Sequence, residues 1–133
     1  MRSPRETKLL VDWLTARVND PTVPVSTALP AGATVPWLVV TVVSNPNAGG
    51  DLLSTVTHVQ VDCYGRDKSE AQALAQDVRD LAVAETGWAN EWGRIAGGIN
   101  LLGSLDLSEI EEGLGRWTVT MIVLAHPADP VVS

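Results

Sequence analysis

The stretch Ser54–Glu85, STVTHVQVDCYGRDKSEAQALAQDVRDLAVAE, contains a strand pattern followed by a helix pattern. Over residues 57–64, apolar or small side chains alternate with polar ones, which predicts a strand with one buried and one wetter face. Gly65 interrupts the alternation. Asp67 then stands three residues before Glu70, the spacing of a capping box that satisfies unpaired backbone N–H groups in a first helical turn. We therefore expect a strand, a short break and a helix.

The expected helix has a single apolar face built from small side chains. The residues that recur at three- and four-residue intervals are Ala71, Leu74, Ala75, Val78, Leu81 and Ala82. Gly87 is placed to end the helix as a C-terminal glycine. Because most of the stripe is alanine and valine, the helix can lie close to a sheet. We expect Leu74 and Val78 to pack against the strand face that carries Val59 and Val61.

Outside this stretch, periodicity predicts one more helix and four more strands. The helix is expected over Glu6–Val18, where leucines, a tryptophan and a valine share one face. The strands are expected at Val23–Leu29, Trp37–Val43, Ile99–Leu107 and Trp117–Leu124. Pro24 favours an edge position for the first of these. The second is almost wholly apolar and β-branched, which indicates a central strand covered on both faces.

The resulting order, α-β-β-β-α-β-β, predicts the α+β class. We expect a mostly antiparallel sheet of about five strands with two helices packed on one face. Short links favour a meander for the first three strands. Residues 88–98, WANEWGRIAGG, are expected to form an irregular link, with their glycines explained by bends or a bulge. Residues 1–126 are interpreted as one domain, and residues 127–133 as an extended tail.

Composition limits the chemistry that this chain can perform. The chain has 133 residues, a formal charge of −7 and 45% hydrophobic residues. That length allows a sizeable core. The acidic balance argues against gripping a nucleic-acid backbone, because phosphate binding requires a basic patch. A single cysteine excludes an internal disulfide and a multi-cysteine metal site. Neither a secretory signal nor a membrane-spanning segment is expected.

The residues that most often catalyse or bind metal are not grouped by the sequence. His58 and Cys63 have opposite parity on one strand, so their side chains leave opposite faces. His58 and Asp62 share a face, but four residues of strand separate them by roughly 13 Å. Cys63 is interpreted as a small core residue, and His126 as a solvated residue near the tail. We expect no catalytic set, no metal and no cofactor.

Two loops and a tryptophan-rich segment are the candidates for contact with partners. The loops are Ser44–Asp51 and Asp106–Gly115, and the tryptophan-rich segment follows Gly87. The candidate interface residues are Asn45, Asn47, Asp51, Trp88, Trp92, Asp106, Glu109, Glu111 and Glu112. The two tryptophans are equally compatible with a place in the core and with an interface anchor. The acidic residues are compatible with a solvated turn and with a surface that faces a partner.

The chain resembles the tail terminator (tail completion) proteins of long-tailed bacteriophages. The resemblance lies in LLVDWLTARV, in VTHVQVDCYGRDKSEAQALAQDVRDLA, and in a late acidic loop followed by GRWTVTMIVLA. It implies a virion structural protein without enzymatic activity, made in the host cytoplasm. It also implies a homohexameric ring that caps the tail tube protein and joins the head-tail connector protein. Genomic DNA would pass through the lumen without specific binding, and no membrane would be involved.

Three other interpretations stay open. The nearest is a different virion component, either a head-tail connector or a tail tube protein, although two clear helices disfavour a tube protein. A small ligand-binding α+β module would present a concave apolar pocket. A small enzyme would need side chains brought together from distant segments of the chain.

Overall fold

The computed structural model describes residues 4–42, 55–108 and 114–127. These residues form an α+β fold of two helices and a mostly antiparallel, seven-stranded sheet. The helices are α1 (Pro4–Val18) and α2 (Lys68–Ala84). The strands are β1 (Val25–Ser26), β2 (Trp37–Val42), β3 (Thr55–Gly65), β4 (Gly87–Asn90), β5 (Gly93–Ala96), β6 (Asn100–Asp106) and β7 (Gly115–Pro127). The predicted class and the two helices are confirmed, while the strands are more numerous than expected.

The sheet is built around the antiparallel pair β3 and β7, which align along eleven residues of each strand. The strand order is β1-β2-β3-β7-β5-β4, and β6 also pairs with β7. The predicted meander is wrong at its first step, because β1 runs parallel to β2. The link over residues 27–36 contains a turn in which Ala33 N donates to Pro30 O. That link returns the chain to the end of the sheet from which β1 started.

Strands β5 and β6 follow one another along the same edge of β7. Ile95 lies opposite Ala125, whereas Asn100 lies opposite Ile122. The step of five residues from Ile95 in β5 to Asn100 in β6 therefore faces a step of only three residues on β7, and the longer segment contains Gly97 and Gly98. The interpretation of these glycines as a bend or bulge is confirmed.

The segment after α2 is not the irregular link that was expected. Strands β4 and β5 form a tight antiparallel hairpin across Asn90 and Gly93. Trp92 N donates a hydrogen bond of 2.8 Å to Asn90 Oδ1 and so fixes the turn. Each of these strands is only four residues long and begins with glycine. Short, glycine-led strands of this kind carry little periodicity, which explains the wrong prediction.

Strand β7 extends three residues beyond the predicted end at Leu124. His126 was expected to be a solvated residue near the tail, but it lies within β7 and is half-buried. Its register partner is Arg94 of β5. The unpredicted hairpin supplies this partner strand, so the two errors have one cause.

The N-terminus of α2 is capped at the predicted residue. Asp67 is extended, and its Oδ1 accepts from Glu70 N at 2.8 Å. The reciprocal bond is shifted by one residue, because Glu70 Oε1 accepts from Arg66 N. The C-terminus differs from the prediction. Glu85, in an extended conformation, follows the last turn, and Gly87 begins β4 instead of capping the helix.

Both helices pack on one face of the sheet and bury it. The largest inaccessible side chains of this core are Trp13, Leu9, Leu10, Leu14, Leu38, Ile95 and Met121, with five valines. In the described residues no helix covers the opposite face. Leu38 and Val40 of β2 face the helices, and Val39 on the other side is only 7% exposed, so the middle of β2 is buried on both faces as predicted, whereas Thr41 near its end is exposed.

Two facing glycines allow α2 to approach the sheet closely. Gly65 and Gly115 are register partners at the ends of β3 and β7. A Cβ atom at Gly65 would lie 2.6 Å from Ala71 N, and one at Gly115 would overlap the carbonyl group of Asp67. The first turn of α2 therefore rests directly on the backbone of this glycine pair.

Candidate partner-binding surface

The face of the sheet opposite the helices is the surface best suited to a partner. We call it the open face. Because side chains alternate along a strand, the central residues of this face are the even-numbered residues of β3 and β7. They are Val56, His58, Gln60, Asp62 and Tyr64 of β3, with Arg116, Thr118, Thr120, Ile122, Leu124 and His126 of β7.

Exposed apolar side chains are concentrated on this face. Among the described residues, five large apolar side chains are exposed, and only Val83 lies on a helix. Val56 and Leu124, 42% and 39% exposed, are register partners on the central strands. Leu102 and Leu105 of β6 are 51% and 60% exposed. Exposed apolar side chains that gather on one side of a domain often mark an interaction surface, whereas singly scattered ones do not.

A shallow trough runs along β6 on the open face. Its volume is about 440 Å³, and Leu102 and Leu105 line it together with Gln60, Thr118 and Thr120. Leucine side chains thus form one wall, and the amide and hydroxyl groups of the central strands form the floor. A lining of this mixed kind suits a contact that combines apolar burial with a few hydrogen bonds.

An ion pair that is satisfied within the chain lies beside this trough, at the end of the open face away from Val56 and Leu124. Asp62 is only 4% exposed, and its Oδ1 lies 3.2 Å from Arg116 Nη2. Thr118 Oγ1 also donates to Oδ1, and Gln60 Nε2 donates to Oδ2 at 3.4 Å. The Arg116 guanidinium lies 5.6 Å from the centroid of the Tyr64 ring. These contacts fix the side chains before any partner binds.

The sheet has two unlike lateral edges. On one side, β1 pairs only with β2 within the described residues. On the other side, β6 pairs only with β7, and β4 ends the strand order. Open strand edges present unpaired backbone groups that another chain can use. Since the two edges differ, each can meet a different surface.

The two predicted interface tryptophans lie together on the β4–β5 hairpin. Trp88 and Trp92 are half-buried and pack against the core. Lys8 Nζ of α1 lies 5.3 Å from the centroid of the Trp92 ring, within the range of a cation–π contact. Part of each ring is therefore used for contacts within the chain. That the solvent-exposed part of these two rings anchors an interface stays a prediction.

Asp106 lies far from the tryptophans, and its carboxylate is bound by groups of the same chain. Its carboxylate accepts from Ser108 N at 2.9 Å and lies 3.0 Å from Lys68 Nζ. The Ser108 backbone N–H, followed by the Ser108 and Lys68 side chains, lowers its pKa to about 2. Asp106 is the register partner of Trp117 on β7, and Ile95 of the tryptophan-bearing hairpin is the register partner of Ala125 on the same strand. Eight residues of strand separate those positions, or roughly 26 Å.

The other predicted interface residues lie outside the described parts of the chain. These are Asn45, Asn47, Asp51, Glu109, Glu111 and Glu112. For them the interface assignment stays a prediction.

The groups tested for chemistry occupy separate environments. Cys63 is fully buried in the core, and burial raises the pKa of its thiol well above its usual range. His58 is exposed on the opposite face. Within residues 4–42, 55–108 and 114–127, no three metal-binding side chains come together.

A buried carboxylate that the sequence did not indicate links the two helices. Glu85, at the end of α2, accepts from Trp13 Nε1 at 2.7 Å and from Arg17 Nε at 2.7 Å. It also accepts from Arg17 Nη2 and from Gly87 N, each at 2.9 Å. The Arg17 hydrogen bonds are the largest influence that lowers the pKa of Glu85 to about 2. This cluster joins α1, α2 and β4, so it orders the fold and is not aimed at a ligand.

Comparison with known proteins adds no assignment to this surface. No protein-family model matches the chain, and no curated protein matches it significantly. In the described part of the chain, neither helix has the length and hydropathy needed to cross a membrane.

Proposed function

We propose that this protein is a structural virion component, a tail terminator that forms a ring at the end of a bacteriophage tail. Its ring would end polymerisation of the tube and receive the head connector. The observation that carries the proposal is the open face, where Val56, Leu124, Leu102 and Leu105 are exposed on a rigid sheet. Apolar area of this kind is costly to leave in water and favourable to cover with another protein.

The two edges of the sheet support a ring in particular. A ring closes through a heterologous contact, in which one surface of a subunit meets a different surface of its neighbour. The β1 side and the β6 side are such a pair of unlike surfaces. The satisfied Asp62–Arg116 pair supports the same proposal, because it gives the open face a fixed shape without a buried, unpaired charge.

Substitutions on the open face test whether it is the assembly surface. We expect Leu124→Asp to abolish ring formation, because a carboxylate would be buried in an apolar contact. The matched control is Val83→Asp, which places the same charge on an apolar residue that is 71% exposed on α2. Sedimentation of the purified variants, with circular dichroism to check folding, separates the outcomes. Equal assembly of both variants would contradict the assignment of the open face.

Deletion during infection tests the role in the particle. We expect filled heads without attached tails, together with tails of uncontrolled length, when the protein is absent. Supplying the wild-type chain or Val83→Asp should correct both defects, whereas Leu124→Asp should correct neither. Unattached heads with tails of normal length would instead indicate a connector. Intact virions would contradict a structural role altogether.

A further inference from the structure

A groove separates the C-terminal part of α1 from the middle of α2. Its volume is about 300 Å³. Buried side chains of Val23, Leu38 and Val78 line it. Half-buried Val18, Leu74 and Leu81 line it as well. This is the small end of the range for ligand pockets, about 300–1,000 Å³. The groove therefore has room for one or two apolar side chains and not for a whole helix.

The mouth of the groove is acidic. Asp20 follows α1, and Asp77 and Asp80 project from α2, and all three are exposed at its lining. Asp20 accepts from Thr22, and Asp80 accepts from Gln76, so these two carboxylates bond to neutral groups. The cationic side chain that lines the groove is Arg17, and Glu85 holds its guanidinium in an ion pair of 2.7 Å. The rim thus presents negative charge around an apolar floor.

We propose that this groove docks a short basic and apolar segment of a partner protein. An apolar side chain of that segment enters between Leu74 and Leu81, and an adjacent lysine or arginine meets Asp77 and Asp80. Charge complementarity selects this occupant, because an acidic segment would be repelled by the rim and a neutral apolar one would leave it unmatched. The inference does not depend on the proposed function, since it uses neither the open face nor the sheet edges.

Four of the protein's basic side chains are poorly placed to fill the groove of a second copy. Arg17, Arg66, Lys68 and Arg116 are already bound to carboxylates within the subunit. A partner with the opposite charge balance is the better match.

The direct test titrates the protein with a designed peptide and follows its methyl groups by NMR. The probe is a short peptide in which leucines are flanked by lysines. One matched peptide has glutamate in place of lysine, and another has serine in place of leucine. We expect saturable shifts of the Leu74, Val78 and Leu81 methyl signals with the first peptide only.

Two protein variants make the result specific. Asp77→Lys should weaken binding about tenfold, since it replaces an attractive rim charge by a repulsive one. Glu91→Lys makes the same charge change at an exposed residue of the β4–β5 turn and should change the affinity less than twofold. Asp80→Lys provides a second rim variant if the first fails to fold.

Several results would overturn the proposal. Equal weakening by Glu91→Lys would mean nonspecific attraction to an acidic protein. Equal binding of the serine peptide would show that the apolar floor plays no part. Shifts of the groove methyl signals on concentrating the protein alone would assign the groove to a second copy. If the leucine–lysine peptide shows no saturable binding at millimolar concentration, the proposed docking site is wrong.

Discussion

Replacing Glu85 by glutamine should destabilise the protein strongly at neutral pH and hardly at all in acid. The carboxylate has a side chain only 1% exposed, and it accepts four hydrogen bonds from Trp13, Arg17 and Gly87. Glutamine has the same shape but turns one acceptor oxygen into an N–H donor. That donor would face the N–H groups of Arg17 and Gly87, which would lose their acceptor.

The size of the effect follows from the pKa. A pKa lowered from 4.5 to about 2 corresponds to about 3 kcal/mol, because each unit is worth about 1.4 kcal/mol. The Arg17 side chain is 40% exposed, so solvent screens part of this attraction. We therefore expect a loss of about 2–3 kcal/mol in the free energy of unfolding, in line with other broken buried ion pairs.

The pH dependence gives the stricter check. Because folding lowers the pKa of Glu85, its contribution is complete above about pH 4.5 and is lost as the pH falls towards 2. Urea unfolding of wild type and Glu85→Gln at several pH values should show a difference that shrinks across this window. Glu91→Gln, at an exposed turn residue, is the matched control and should stay within about 0.5 kcal/mol of wild type. A difference that is absent at pH 7, or undiminished near pH 2, would mean that the Glu85 carboxylate does not stabilise the fold through these hydrogen bonds.

Four further substitutions test the packing and the buried ion pair. Val78→Ala should cost about 2 kcal/mol, because Val78 is fully buried, whereas Leu74→Ala should cost about 1 kcal/mol, because Leu74 is half-buried at the groove. Equal losses in urea unfolding would mean that α2 is rotated. Gly115→Ala should lower the stability by about 1–3 kcal/mol, since its Cβ would overlap the backbone at the start of α2; an unchanged Tm would contradict that close approach. Arg116→Met should cost about 3 kcal/mol by leaving Asp62 buried without its cation, and a double variant that also carries Asp62→Asn should recover part of the loss.

Local pattern predicted the centre of the fold and failed at its periphery. Strand β3 and the cap at Asp67 are encoded within a few residues, so the sequence was sufficient for them, although the strand continues through Gly65, where a break was expected. The parallel pairing of β1 depends on the path of a ten-residue link, which periodicity does not contain. The β4–β5 hairpin was missed because four-residue strands give no measurable alternation.

The candidate surface was predicted only in part for a related reason. Val56 and Leu124 lie at positions where alternation favours polar residues, and that mismatch was the available signal. Its meaning depends on both helices covering the other face, which is a tertiary property. The Glu85 cluster was equally hidden. A carboxylate at a helix C-terminus opposes the helix dipole, and its cation, Arg17, lies 68 residues away in the sequence.

A symmetry-free reconstruction of the assembled particle by electron microscopy tests the central claim most directly. We expect six copies of this chain in one ring at the head-proximal end of the tail tube, with Val56, Leu102, Leu105 and Leu124 covered by neighbouring protein. A single copy, a twelvefold ring, or a ring in which the open face stays in solvent would contradict it.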